Sequence, residues 1–146
     1  AVMPFLPEQQ NVIDTELMTA ADRLLDQVRD MLDRQAFNEA LRCIWQVVAD
    51  ANRYVDTTAP WALKKTDPKR MAEVLAVLAE TIRQVAILVQ PVMPQSAALV
   101  LDQLGVASAA RDFRFIAGQQ RLSAGNVIEK PAPVFPRYQE EGGADG

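Results

Sequence analysis

Between Asp67-Pro68 and Pro91 the chain returns apolar residues every three or four positions, at Met71, Val74, Leu75, Leu78, Ile82, Val85 and Val89. A strand alternates with period two, so this spacing predicts a helix with one inward stripe. Chemistry sets its ends as well. Asp67 is a short carboxylate suited to an N-cap, Pro68 falls where a missing N–H does no harm, and Pro91 cannot continue the hydrogen-bond ladder. The predicted helix runs from Pro68 to about Gln90.

The same period recurs on either side. Asp14 is the expected N-cap of a first helix reaching about Arg34, with Leu17, Ala21, Leu24, Leu25, Val28, Met31 and Leu32 inward and Asp22, Arg23, Asp26, Arg29 and Asp30 on a solvated face. A second helix, about Phe37 to Thr57, carries Phe37, Ala40, Leu41, Ile44, Trp45, Val47, Val48, Ala51 and Val55. These cover over half its circumference and predict that several neighbours wrap it, with Trp45 in the core. Pro94 opens a fourth helix with Ala97, Leu99, Val100, Leu101 and Leu104, and Gly105 suits a left-handed cap. Four helices with short links make an all-α, mainly antiparallel bundle.

The ends are less regular. Residues Ala1 to Asn11, with Pro4 and Pro7, read as an extended lead-in. Ser108 caps a short turn through Asp112, and Phe113, Phe115 and Ile116 alternate with Arg114 in an extended run. Gly118 to Tyr138 is expected to be a tail clamped along the bundle by Leu122, Val127, Ile128, Val134 and Phe135, with 139–146 disordered.

Composition narrows the chemistry. The 146 residues contain no histidine, which removes Ser-His and Cys-His catalysis and His-ligated metals from this segment. A lone cysteine, Cys43, sits in the apolar second helix and reads as a small core side chain, consistent with a reducing compartment. No apolar run approaches the ~20 residues that span a bilayer, and Ala1 to Pro7 lacks a secretory pattern, so a soluble cytoplasmic protein is expected. The net charge of −4 argues against a general nucleic-acid binder, so any contact with RNA has to be local. The start at Ala1, close to a helix, suggests a segment of something longer.

One stretch supplies a local site. Asn52 to Lys65 ends the second helix, turns at Ala59-Pro60, and presents Trp61 beside Lys64 and Lys65. Proline before a tryptophan stiffens the backbone that carries the indole. Trp61 is then either a lid over the core or a platform for an unstacked base. Arg53, Lys64, Lys65, Lys69 and Arg70, with Lys64 to Arg70 read as a loop, form a basic island suited to flanking phosphates. Asp56 is read as a local hydrogen-bond partner.

The order Ala51-Asn52-Arg53-Tyr54-Val55-Asp56, then Ala59-Pro60-Trp61, then a helix after a lysine-rich loop, resembles the anticodon-binding domain of bacterial methionyl-tRNA synthetase. Lys130-Pro131-Ala132-Pro133-Val134-Phe135-Pro136-Arg137, preceded by Gly125 and Ile128, is similar to the end of the core synthetase, where the chain runs back toward the catalytic body. The resemblance implies a bundle of the class I synthetase anticodon-binding type that recognises the CAU anticodon of methionine tRNA, while a catalytic domain elsewhere activates methionine with ATP and magnesium. Trp61 falls on the family's base-stacking tryptophan; Pro60 shares its motif, Asn52 and Tyr54 fall on the helix end, and Lys64 and Lys65 would flank the RNA. The family reads the first anticodon base from a preceding helix, so this chain, residues 1–138 plus terminus, is expected to lack the domain's first helix and to expose an apolar strip where that helix and the catalytic body pack. No catalytic residue, cofactor or metal is assigned to the segment, and no DNA or membrane partner. The competing reading is a helical protein-interaction or scaffold bundle whose second helix docks a partner.

Overall fold

The computed structural model describes residues 11–116, 121–122, 125 and 127–135. The expected lead-in before Asn11 and terminus 139–146 lie outside them. Five α-helices follow in order: α1 (Val12–Asp33), α2 (Phe37–Thr58), α3 (Pro60–Thr66), α4 (Pro68–Val89) and α5 (Pro94–Gln103), with 3-10 turns at Ser108–Ala110 and Phe113–Phe115. Among the described residues no strand forms. The three residues between α1 and α2 force an antiparallel pair, and Gln35 makes the turn at φ 59. Asp14 at the start of α1 meets Tyr54 near the end of α2 and Arg70 at the start of α4, so α4 runs parallel to α1 and against α2.

The central helix is α4, which packs on α1, α2, α3 and α5. Its small residues Ala76, Ala79 and Ala86 are buried with Val74, Val77, Ile87 and Leu88, and let neighbouring helices come close. Two members of its expected stripe, Leu75 and Ile82, are instead exposed, whereas Glu80, Arg83 and Gln84 are buried. A helix surrounded on most sides has no outward polar face, so these polar groups need buried partners, and Gln84 Oε1 finds none among the described residues.

The expected wrapping of α2 is corrected. Ala40, Ile44, Val47 and Tyr54 are its buried residues, while Phe37 is 60% and Trp45 51% exposed. Trp45 is therefore not a core residue. The reason is position: α2 packs on α1 and α4 with one face, and Phe37, Leu41, Trp45 and Val48 form a strip beside that face. Cys43 is half-buried against the core, its Sγ 3.6 Å from Met31 Sδ.

Three local expectations also change. Asn11, not Asp14, precedes the first helix; Asp14 lies inside its first turn and is fully buried. The Lys64–Arg70 loop is mostly helix, because Pro60 supplies a ready N1 residue and Ala62, Leu63, Lys64 and Lys65 favour helix. Phe113–Phe115 is a 3-10 turn, stabilised by the Asp112 carboxylate accepting the Arg114 N–H at 3.0 Å.

The tail is fastened at particular points. The Gln103 side chain accepts from Ala132 N–H at 3.0 Å and donates to Ala132 O at 3.1 Å, while Glu129 N–H reaches Gln103 O at 2.9 Å. Leu122 is buried and Ile128 packs on the core, but Val127 and Phe135 are exposed and clamp nothing. Gly105, at φ 70, closes α5 with Val106 N–H on Leu101 O at 3.0 Å. A Cβ there would stand 2.3 Å from the Val127 carbonyl oxygen. Gly105→Ala is expected to cost about 2 kcal/mol or more, from the left-handed backbone plus displacement of the tail, read as a lower urea midpoint.

Candidate nucleic-acid interface

Chain chemistry at the end of α2 creates an exposed aromatic corner. The Thr58 hydroxyl donates to Tyr54 O at 2.7 Å, and Ala59 N–H closes the helix on Val55 O at 2.9 Å. Pro60 cannot follow an α-helical residue comfortably, and Ala59 indeed leaves the helix in the left-handed region, at φ 43 and ψ 62. The chain thereby turns and restarts as α3 with Pro60 buried and Trp61 65% exposed. Lys64 and Lys65, three and four residues after Trp61, share its helix face and are also exposed. Their charges sit in the last turn of α3, where the helix dipole favours cations.

Asn52 is exposed on α2 in line with the Phe37–Leu41–Trp45–Val48 strip, and its side chain has no hydrogen-bond partner among the described residues. Tyr54 points the other way and is buried. The basic island is smaller than the sequence suggests. Arg53 pairs loosely with Asp50 at 3.4 Å and stays exposed, and Lys69 is exposed, but Arg70 is turned inward.

The Arg70 guanidinium grips Asp14 from both nitrogens, at 2.6 Å and 2.7 Å, and reaches Glu73 at 3.2 Å. The Tyr54 hydroxyl donates to the same carboxylate at 2.8 Å. Asp14, expected as an N-cap, is instead a buried member of the inward stripe of α1. Its stripe position was legible, because Asp14 precedes Leu17 by three residues and Ala21 by seven. Burial opposes the Asp14 charge, but the hydrogen bonds from Arg70 and Tyr54 and the Arg70 charge outweigh it and hold the carboxyl below its usual range. Burial, then the Asp14 hydrogen bond and charge, push the Tyr54 phenol well above the ordinary tyrosine range.

The signs fix two pH effects. A depressed acid contributes stability above about pH 4 that is lost as pH falls through the folded value. A raised phenol contributes stability that is lost as pH rises past about 10. Urea titrations should therefore show the native chain losing stability above pH 10 by up to about 1.4 kcal/mol per pH unit more than Tyr54→Phe. Parallel curves would mean that Tyr54 ionises freely.

Among the described residues no group of three or more Cys, Asp or Glu is placed to hold a metal, and no helix is long and apolar enough to cross a membrane. Fold and corner together define an all-α helical-bundle domain that presents an exposed aromatic and cationic corner. Over residues 3–145 the chain matches the family model described as the anticodon binding domain of methionyl tRNA ligase, and it belongs to that family. It is 48% identical over 125 residues to the methionine–tRNA ligase of Rhizobium meliloti (strain 1021), covering 86% of this chain and 24% of that one. With the Mycobacterium leprae (strain TN) methionine–tRNA ligase it is 43% identical over 145 residues, covering 95% and 27%. The apo, free-state crystal structure of Mycobacterium tuberculosis methionyl-tRNA synthetase matches with a TM-score of 0.89 at 39% identity, over 94% of this chain and 28% of that one. The same synthetase in complex with methionyl-adenylate gives 0.88 at 38% identity, over 93% and 27%. The chain thus spans about a quarter of the length of the relatives it matches.

Proposed function

We propose that this domain reads the CAU anticodon of methionine tRNA for a methionine–tRNA ligase, a class I synthetase that joins methionine to its tRNA with ATP and magnesium at a catalytic body outside this chain. The observation that carries the reading is Trp61, a large aromatic held out in solvent by a proline-opened helix with two unpaired lysines on the same face. Unpaired bases in an RNA loop are read by splaying them onto such faces, each stack contributing roughly 1–3 kcal/mol. In this reading Trp61 is the platform, Pro60 fixes its helix, Asn52 offers a free amide to a base edge, and Lys64 and Lys65 meet phosphates. The catalytic body and the tRNA are the partners, and the parent enzyme works in the cytoplasm.

The exposed Phe37–Trp45 strip supports a second contact. A patch of this kind marks a surface meant to be covered, and in this reading its cover is the catalytic body of the ligase. A pure scaffold bundle would use the strip alone and ignore RNA. Competition binding of the full-length ligase to methionine tRNA, with the anticodon intact or changed, separates the two. A loss of roughly 5- to 150-fold on changing the anticodon, the equivalent of one stacked base, is expected. Equal affinity for both tRNAs would leave the scaffold reading standing.

A further inference from the structure

Whether Trp61 meets a base depends on where α3 lies. That short helix joins the bundle through two non-helical residues, Ala59 at φ 43, ψ 62 and Asp67 at φ −148, ψ 79, and packs on α4. The helices on both sides of it are pinned by one carboxylate. Asp14, fully buried at the start of α1, accepts the Tyr54 hydroxyl from the end of α2 and both terminal nitrogens of Arg70 from the start of α4. Each joint is in turn tied to this group: Thr58 bonds the Tyr54 carbonyl, and the Asp67 carboxylate accepts Arg70 N–H at 3.0 Å. A bidentate arginine–carboxylate pair fixes orientation as well as distance.

We propose that Asp14, Tyr54 and Arg70 are positioning residues of the anticodon-reading corner, setting the separation of the α2 end from the α4 start and with it the place of α3 and Trp61. The inference rests on the reading of Trp61 as the base platform. Asp14 and Tyr54 are buried, and Arg70 spends its charge inward, so their influence on tRNA travels through α3 rather than by contact. Supporting residues of this kind matter because a displacement of about 1 Å in a recognition group can cost a large factor in rate or binding.

The test uses the full-length ligase, with Tyr54→Phe deleting one hydrogen bond, Asp14→Asn removing the charge at constant shape, and Arg70→Lys removing the fork. Each is assayed below its own unfolding transition for tRNA KM, for kcat and for discrimination against a changed anticodon, alone and combined with Trp61→Ala. Asp14→Asn is expected to raise tRNA KM about fivefold or more with kcat nearly unchanged, and Tyr54→Phe to raise it about two- to fivefold. Combined with Trp61→Ala, their factors should fall well short of multiplying, since the platform they place is gone. Unchanged tRNA KM in folded Asp14→Asn and Tyr54→Phe, or factors that multiply fully with that of Trp61→Ala, would overturn the inference while the platform reading stands. Unchanged discrimination in Trp61→Ala alone would overturn the platform and this inference with it.

Discussion

Glu80→Ala is expected to destabilise the domain by about 3–5 kcal/mol, the largest stability effect of any single substitution here. Arg83 is only 2% exposed and is held by Glu80 through two bonds, Nε to Oε2 at 2.9 Å and a terminal nitrogen to Oε1 at 2.7 Å. Two further donors go to Phe115 O at 2.5 Å and Ile116 O at 2.6 Å, and Glu80 also accepts Leu122 N–H at 3.0 Å. Gln84 then links Glu80 to Asp22, each at 3.1 Å, and Asp22 pairs with Arg121. Truncating Glu80 leaves a buried guanidinium without its counter-charge and releases the segment after α5 from α4. Pairing the change with Arg83→Met removes the orphaned charge and should recover part of the loss, though the Phe115 and Ile116 carbonyls stay unpaired. Urea unfolding of the single and double variants reads both numbers; a Glu80→Ala cost below 1 kcal/mol would mean the pair is solvated.

Trp61→Ala is expected to have the largest functional effect. A lost base stack of roughly 1–3 kcal/mol lowers kcat/KM for tRNA aminoacylation by about 5- to 150-fold. Methionine activation, which the proposed function places on a separate catalytic body, should stay nearly intact. The folded bundle should hardly notice the change, because most of the indole already lies in solvent. Trp45→Ala provides the contrast: it too is exposed, but it stands on the α2 strip, so its removal should disturb packing on the parent enzyme rather than discrimination between anticodons.

The helices were readable because their stripes and proline boundaries are local. Asp67 as cap, Pro68 as first residue and Gly105 as left-handed stop all follow from single-residue chemistry, and the structure realises each of them. What could not be read was which helix sits in the middle. Hydrophobic coverage favoured α2, yet α4 is enclosed because its alanines admit neighbours and its buried Glu80, Arg83 and Gln84 bond one another, the segment after α5 and Asp22. Periodicity counts apolar residues and is blind to a buried ion pair whose other partners come from a distant segment. For the same reason Arg70 looked like a phosphate contact: its partner Asp14 lies on a different helix and far away in sequence. Trp61, Pro60, Lys64 and Lys65 could be put forward together because one short segment carries them all. The exposure of Trp61 and the two lysines, the burial of Pro60, and the helix that carries them came only with the structure.

The most direct measurement is the ratio of aminoacylation kcat/KM for methionine tRNA with its CAU anticodon to that for the same tRNA with a changed anticodon, taken in the native full-length ligase and in Trp61→Ala. If Trp61 is the platform, the ratio collapses by a factor of roughly 5 to 150 in the variant while methionine activation holds. A variant that loses the same factor on both tRNAs, or loses activation in parallel, would show that Trp61 supports the fold and does not read the anticodon.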